Sequence, residues 1–382
     1  MTDAVPLVDL TPVFQLMLGA GLAAALLLGW LAWRQRGKGT RAWLAGLTAL
    51  TVFLTFDLIV FGSFTRLTDS GLGCPDWPGC YGAASPLGAK QEIASAQAAM
   101  PTGPVTFTKA WIEMIHRYLA MTVGALILVM AVTSWWRSRD LPHSPWWPTL
   151  TLLWVIVQGL FGKYTVTLKL YPAVVTLHLL GGLLLLALLV VQYRRWHPAP
   201  LAMSAGARRL GFVTTAALWV QMALGGWVST NYAVLACQGF PQCNGQWWPP
   251  MRLAEGFELL RPLGEKGAGG LIHLEALVGI HMVHRLFAVV LLALLMLWAL
   301  RLWSERGRLG AAPALTLLAL GLAQLASGLS NVVLGWPLAA ALAHSAGAAL
   351  LVGVSTGLLV RAGQAPASSA DFVLFRSGRA PA

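Results

Sequence analysis

Trp111-Ile112-Glu113-Met114-Ile115-His116-Arg117 opens a run of apolar residues that continues to Trp135. A glutamate, a histidine and an arginine thus stand at the head of a segment that otherwise reads as membrane. On a helix, Glu113 and His116 are three positions apart and share a face. Ionisable side chains are costly inside a bilayer and usually mark a site or line a cavity. A related stretch, His281-Met282-Val283-His284-Arg285, occurs in the second half. The recurrence sets the plan of the whole chain.

The composition supports the membrane reading. The 382 residues are 57% hydrophobic and 10% charged, with mean hydropathy +0.68. That is too apolar for a soluble domain. Apolar segments near 20 residues satisfy their backbone inside lipid only as helices, so the chain is expected to be an all-α polytopic membrane protein. The 18 Trp suit interfacial belts. The net charge of +12 does not point to nucleic acid, because the basic residues fall in short connectors between spans.

Nine spans are expected, at about 11–33, 43–64, 110–135, 147–166, 173–192, 210–230, 275–300, 312–334 and 338–360. Met1 to Leu10 has no basic residue and lacks the positive start of a cleavable signal peptide. The connectors 34–41, 137–139, 194–209 and 301–308, with the tail, carry 16 of the 26 Lys and Arg. They are expected to face the cytoplasm, which puts the N-terminus outside and the C-terminus inside. The two long loops, with Cys74 and Cys80 and with Cys237 and Cys243, then face an oxidising space. Local disulfides Cys74–Cys80 and Cys237–Cys243 are expected there.

An internal repeat underlies this plan. Cys74 to Cys237 and Cys80 to Cys243 are both 163 residues, and Gly62 and Pro78 recur as Gly225 and Pro241 at that offset. His116 to His284 is 168 residues, while His178 to His344 and Gln158 to Gln324 are both 166. The chain reads as two four-span halves in parallel repeat with one extra span in front. The expected divisions are 1–41 for the extra helix and its basic connector, 42–200 and 201–361 for the two four-helix bundles, and 362–382 for a cytoplasmic tail. One position breaks the symmetry: Glu113 in the first half corresponds to His281 in the second.

Each half offers two histidines near the outer ends of separate spans. His116 lies roughly 10 Å below the head of its helix at 1.5 Å per residue, and His178 lies at similar depth. Two such histidines in an apolar bundle can ligate a b-type haem from both faces. Arg117 and Arg285 follow the ligand candidates and could pair with propionates. A lone membrane histidine is more often a packed, hydrogen-bonded residue; four at repeated positions argue for ligation. Zinc finds no C-x-x-C or close histidine cluster. Glu113 reads either as a helix-terminal acid or as a functional carboxylate in the first-half cavity.

Gly62 to Gly82 (GSFTRLTDSGLGCPDWPGCYG), the stretch Glu113 to Arg117, the pair Cys237 and Cys243, and the stretch His281 to Arg285 together resemble haem A synthase. The resemblance covers about residues 42–361, and the span at 11–33 departs from the family's eight-helix plan. It implies two pseudo-symmetric four-helix bundles. It also implies oxidation of the C8 methyl of haem O to a formyl by successive hydroxylation, in the service of terminal oxidase biogenesis. Carried over by motif, His116 and His178 would hold substrate haem O beside Arg117. His284 and His344 would hold cofactor haem b beside Arg285, and Glu113 would be the catalytic carboxylate. Implied partners are haem O synthase, terminal oxidase assembly factors and membrane lipid, with a homo-oligomer compatible. The implied location is a bacterial inner membrane with the Cys loops periplasmic. Competing readings are a non-catalytic di-haem b electron carrier, a thiol-oxidising membrane protein and a haem transporter or chaperone. The C-x5-C spacing of both pairs argues against the thiol oxidase.

Overall fold

A computed structural model describes residues 11–267 and 269–364. In chain order the helices are α1 (Thr11–Arg34), α2 (Gly39–Leu67), α3 (Lys90–Ala99), α4 (Phe107–Trp136), α5 (Trp146–Thr167) and α6 (Pro172–Trp196). They continue as α7 (Ala205–Thr230), α8 (Leu253–Gly256), α9 (Leu274–Ser304), α10 (Arg306–Leu309), α11 (Ala312–Val333) and α12 (Leu338–Gly363). The described residues form no strand, and nine of these helices are long and apolar enough to cross a membrane. They coincide with the nine expected spans. Most run a few residues further into the connectors, as α9 does in reaching Ser304. Residues 1–10 and 365–382, which carry part of the orientation argument and most of the expected tail, lie outside the described residues.

Local sequence explains several helix starts. The Thr106 side chain caps α4 by accepting the Lys109 N–H at 3.2 Å, and Ser204 caps α7 through Ala207 N–H at 3.2 Å. Pro172 opens α6, where its missing N–H costs nothing.

In the first half, α2 packs on α4 and α6, and α5 packs on α4 and α6. In the second, α7 packs on α9 and α12, and α11 packs on α9 and α12. The halves meet where α6 touches α7 and α12, and where α2 touches α12. Helix association in lipid depends on close packing and small residues. An added Cβ on Gly211 of α7 would lie 2.6 Å from the buried Trp298 ring of α9. Helix α1 lies against α4 and α2, burying Leu16, Ala20, Ala24 and Leu31. Phe14, Leu18, Leu22 and Leu26 stay exposed on it, as suits a lipid-facing side.

Both long loops are closed by disulfides, Cys74–Cys80 and Cys237–Cys243, with Cα atoms 4.9 Å apart in each. Helix α3 was not expected from sequence. It buries Ile93 against both first-loop cysteines, together with Ala110 and Met114 of α4 and Leu16 of α1. The head of α1 therefore lies at the same end of the molecule as the Cys74 loop.

Candidate functional site

The head of α4 is joined to the disulfide loop above it. Glu113 and Arg117 are both buried, at 4% and 8% exposure. One carboxylate oxygen of Glu113 accepts the Cys74 backbone N–H at 2.8 Å, and the other accepts from Arg117 Nη2. Arg117 Nη1 donates to the carbonyls of Asp76 at 2.9 Å, Pro78 at 3.2 Å and Gly79. A buried ion pair is tolerable when its remaining hydrogen-bonding capacity is met in this way. The loop sits so close that a Cβ on Gly73 would lie 2.6 Å from the backbone nitrogen of Ala110.

The second half repeats the device with different chemistry. Arg285 donates to the carbonyls of Cys237 at 2.7 Å, Gly239 at 3.0 Å and Gln242 at 3.4 Å. His281 is buried, and its Nδ1 lies 3.0 Å from the Ala233 carbonyl. The position shared by Glu113 and His281 thus braces a Cys loop in both halves, and only the first brace is a carboxylate. Both arginines, expected from sequence beside propionates, place their guanidinium groups on loop carbonyls.

The four histidines stand against glycines. An added Cβ would come within 2.9 Å of His116 from Gly62 on α2, and within 3.0 Å of His284 from Gly225 on α7. From Gly328 on α11 it would reach within 3.1 Å of His344, and from Gly162 on α5 within 3.6 Å of His178. The helices that face the ligand candidates therefore give up their side chains at the contact. His116 and His178 are within electrostatic reach of one another, as are His284 and His344. All four histidines are half-buried as residues. The Nδ1 of His178 is buried with no partner.

Two imidazoles per half, set in a glycine cradle with apolar neighbours, fit axial ligation of a haem from both faces. Among the described residues no three His, Cys, Asp or Glu converge, and bis-histidine ligation needs only two. The other histidines have different work: His273 Nδ1 lies 2.8 Å from Glu255 Oε2, and His143 Nε2 lies 2.8 Å from the Arg195 carbonyl.

The glycines are what sequence reading missed. Gly62 and Gly225 were visible as a repeated pair without a role. Gly162 and Gly328 follow Gln158 and Gln324 by four residues at the same 166-residue offset, which could have revealed them.

Fold and side-chain placement together describe a polytopic helical membrane protein with two glycine-backed membrane histidines in each half of the sequence and a buried glutamate in only one. Residues 41–356 match the COX15-CtaA family, described as a cytochrome oxidase assembly protein, and the chain belongs to that family. It is 39% identical over 316 residues to the haem A synthase of Shewanella oneidensis, covering 81% of this chain and 93% of that protein. The Methylobacterium haem A synthase is 32% identical over 337 residues, covering 82% and 89%. That of Halalkalibacterium halodurans is 28% identical over 298 residues, covering 75% and 86%.

Proposed function

We propose that this chain is a haem A synthase, an oxidoreductase that converts the C8 methyl of haem O to the formyl of haem A for terminal oxidase assembly. The observation that carries the reading is the two sets of glycine-cradled histidines, with a buried carboxylate, Glu113, three residues before one of them on the same helix. On this reading residues 42–200 form a four-helix bundle for the substrate, held by His116 and His178. Residues 201–361 form its pseudo-symmetric partner, holding cofactor haem b through His284 and His344. Residues 1–41 add the extra helix. The helix pairings and the 163- and 166-residue offsets support the two bundles.

When bound, haem b supplies electron transfer. The chain's own residues do the rest. His116 and His178 would hold one porphyrin and His284 and His344 the other, among the apolar side chains of their helices. Glu113, buried three residues before His116 on α4, would be the carboxylate that stabilises positive charge developing on the substrate or takes up a proton. Arg117 and Arg285 hold the disulfide loops over the two sites, and a propionate would have to compete with the loop carbonyls for them.

The membrane is a bacterial inner membrane, with the disulfide loops and N-terminus on the periplasmic side and the basic connectors and C-terminus cytoplasmic. Haem O synthase and oxidase assembly factors are the partners this activity requires.

The test is pigment extraction and chromatography after co-expression with a haem O synthase. The parent chain should yield haem A. Glu113→Gln keeps an acceptor for the Cys74 N–H but removes the carboxylate, and should retain bound haem while haem A falls at least tenfold, a loss of about 1.4 kcal/mol or more in barrier lowering. Undiminished haem A in Glu113→Gln would end the catalytic role of that residue. Two permanent haems b and no haem A from the parent would favour the electron carrier instead.

A further inference from the structure

The two histidine pairs differ in what stands behind them, and the repeat shows where. In the second half, Gln221 Nε2 lies 3.0 Å from Nδ1 of His284 and donates to that residue's carbonyl at 3.2 Å. Ser327 Oγ lies 3.0 Å from Nδ1 of His344, and Gln324 donates to the His344 carbonyl at 3.0 Å. Gln221 stands four residues before the cradle glycine Gly225, and Ser327 one residue before Gly328. At the matching positions of the first half stand Leu58, four residues before Gly62, and Phe161, one before Gly162. Neither can hydrogen-bond an imidazole. Accordingly, Nδ1 of His178 is buried without a partner, as is Oε1 of Gln158, the counterpart of Gln324.

The Ser327 hydroxyl donates to its own helix carbonyl at Ala323, 2.8 Å away. With the hydroxyl so donated, its oxygen is free to accept from His344 Nδ1, an arrangement in which the proton sits on Nδ1 and Nε2 is left bare. That is the tautomer an iron ligand needs. Gln221 acts on His284 differently: its amide Nε2 faces both Nδ1 and the backbone carbonyl of that residue and so fixes the plane of the ring. Groups that orient a ligating imidazole and hold its Nδ1–H make it a stronger and better-placed ligand.

We propose that Gln221 and Ser327 are positioning residues that make the second site a permanent haem site. Leu58 and Phe161 leave the first pair unbraced, as suits a porphyrin that must arrive as substrate and depart as product. This rests on the reading of the two histidine pairs as haem sites. The device is chemically economical: the ligands are the same in both halves, and residence time is set by the partners of Nδ1.

The experiment follows haem b loss from the purified full-length protein to excess apomyoglobin, together with the haem b midpoint potential. The variants are Gln221→Leu, which installs the first-half residue, Ser327→Ala, their combination, and Ser327→Thr. The double variant should bind haem b but release it roughly 10- to 100-fold faster, the range that outer-shell partners of metal ligands span. Its potential should shift, while release of the first-site pigment stays unchanged. Ser327→Thr, which keeps the hydroxyl, should match the parent. Ser327→Ala removes a single oxygen and serves alone if the double variant aggregates. Parent-like release and potential in Ser327→Ala and in every well-behaved combination would overturn the proposal. His344→Ala separates the two levels. If it retains haem b, the site assignment itself is wrong. If it loses haem b while the Gln221 and Ser327 variants behave as the parent, only the present inference falls.

Discussion

At the position shared by Glu113 and His281, one side chain holds a loop N–H and the other meets a loop carbonyl. The substitution reverses the polarity of the brace while keeping its place, so a duplicated scaffold could acquire a buried carboxylate without losing its loop. The cradle glycines are a second case of one atom deciding a site. A methyl group at Gly225 would lie 3.0 Å from His284 Cε1, and the ring has helix α7 behind it. Gly225→Ala should therefore push the imidazole off its ligand position. Overpacking of this kind costs about 1–3 kcal/mol, which is roughly tenfold or more in haem affinity. Haem b content after purification measures it. Gly124, which has nothing within 4 Å of its would-be Cβ, supplies the control, and equal haem b loss in Gly124→Ala would remove the steric explanation.

Between elements, the contacts that matter are polar ties at helix ends. Glu305, just past α9, accepts from the Ser204 N–H at 3.0 Å and from the Ser204 hydroxyl at the start of α7, and from Arg308 at 2.8 Å. Burial alone would raise its pKa, but the Ser204 bonds and the Arg308 charge outweigh it and hold the carboxyl below the ordinary carboxylate value. A carboxyl with a depressed folded pKa contributes stability that is present above its unfolded value, about 4.3, and lost as the pH falls through the folded value. Glu305→Gln should consequently melt below the parent at pH 7, and the gap should narrow as the buffer is taken below pH 4. A gap independent of pH in detergent melting curves would assign the effect to packing instead. The spans themselves were legible in the sequence because a bilayer demands some 20 apolar residues per crossing, and hydropathy reports that directly. Helix α3 was not, since Lys90–Ala99 presents a single buried residue, Ile93, to the loop. The histidines and Glu113 were legible because charge is costly in lipid. Their glycine partners were not, because the chain has 40 glycines and only the neighbouring helix distinguishes Gly162 from the rest. The committed state of Arg117 was also hidden, because loop carbonyls carry no signature in sequence.

At the scale of the whole molecule, one cluster joins residues at matching places in the repeat. Arg66 of α2 corresponds at the 163-residue offset to Ser229 of α7, and Asp69 corresponds to Tyr232. Arg66 Nη2 donates to the Ser229 carbonyl, and its guanidinium lies 3.9 Å from the Tyr232 ring centroid. The Tyr232 hydroxyl donates to Asp69 at 2.7 Å, and Asp69 pairs with Arg66 at 3.2 Å. This cluster ties the end of α2 to the end of α7, at a seam between the halves beside the Cys loops. Arg66 stands one turn beyond Gly62, and Ser229 one turn beyond Gly225, so the seam is anchored to the helices that cradle His116 and His284. It should govern how the two sites are spaced. A double-mutant cycle on Arg66→Ala and Tyr232→Ala should give a coupling of about 1 kcal/mol, the scale of a partly exposed cation–π pair. Tyr232→Phe, which keeps the ring and loses the Asp69 bond, should retain most of that coupling. Thermal unfolding in detergent reads the cycle where it is reversible and single-step. Additive effects of the two alanine substitutions would show that the guanidinium and the ring do not hold the halves together, and that the seam relies on its other contacts.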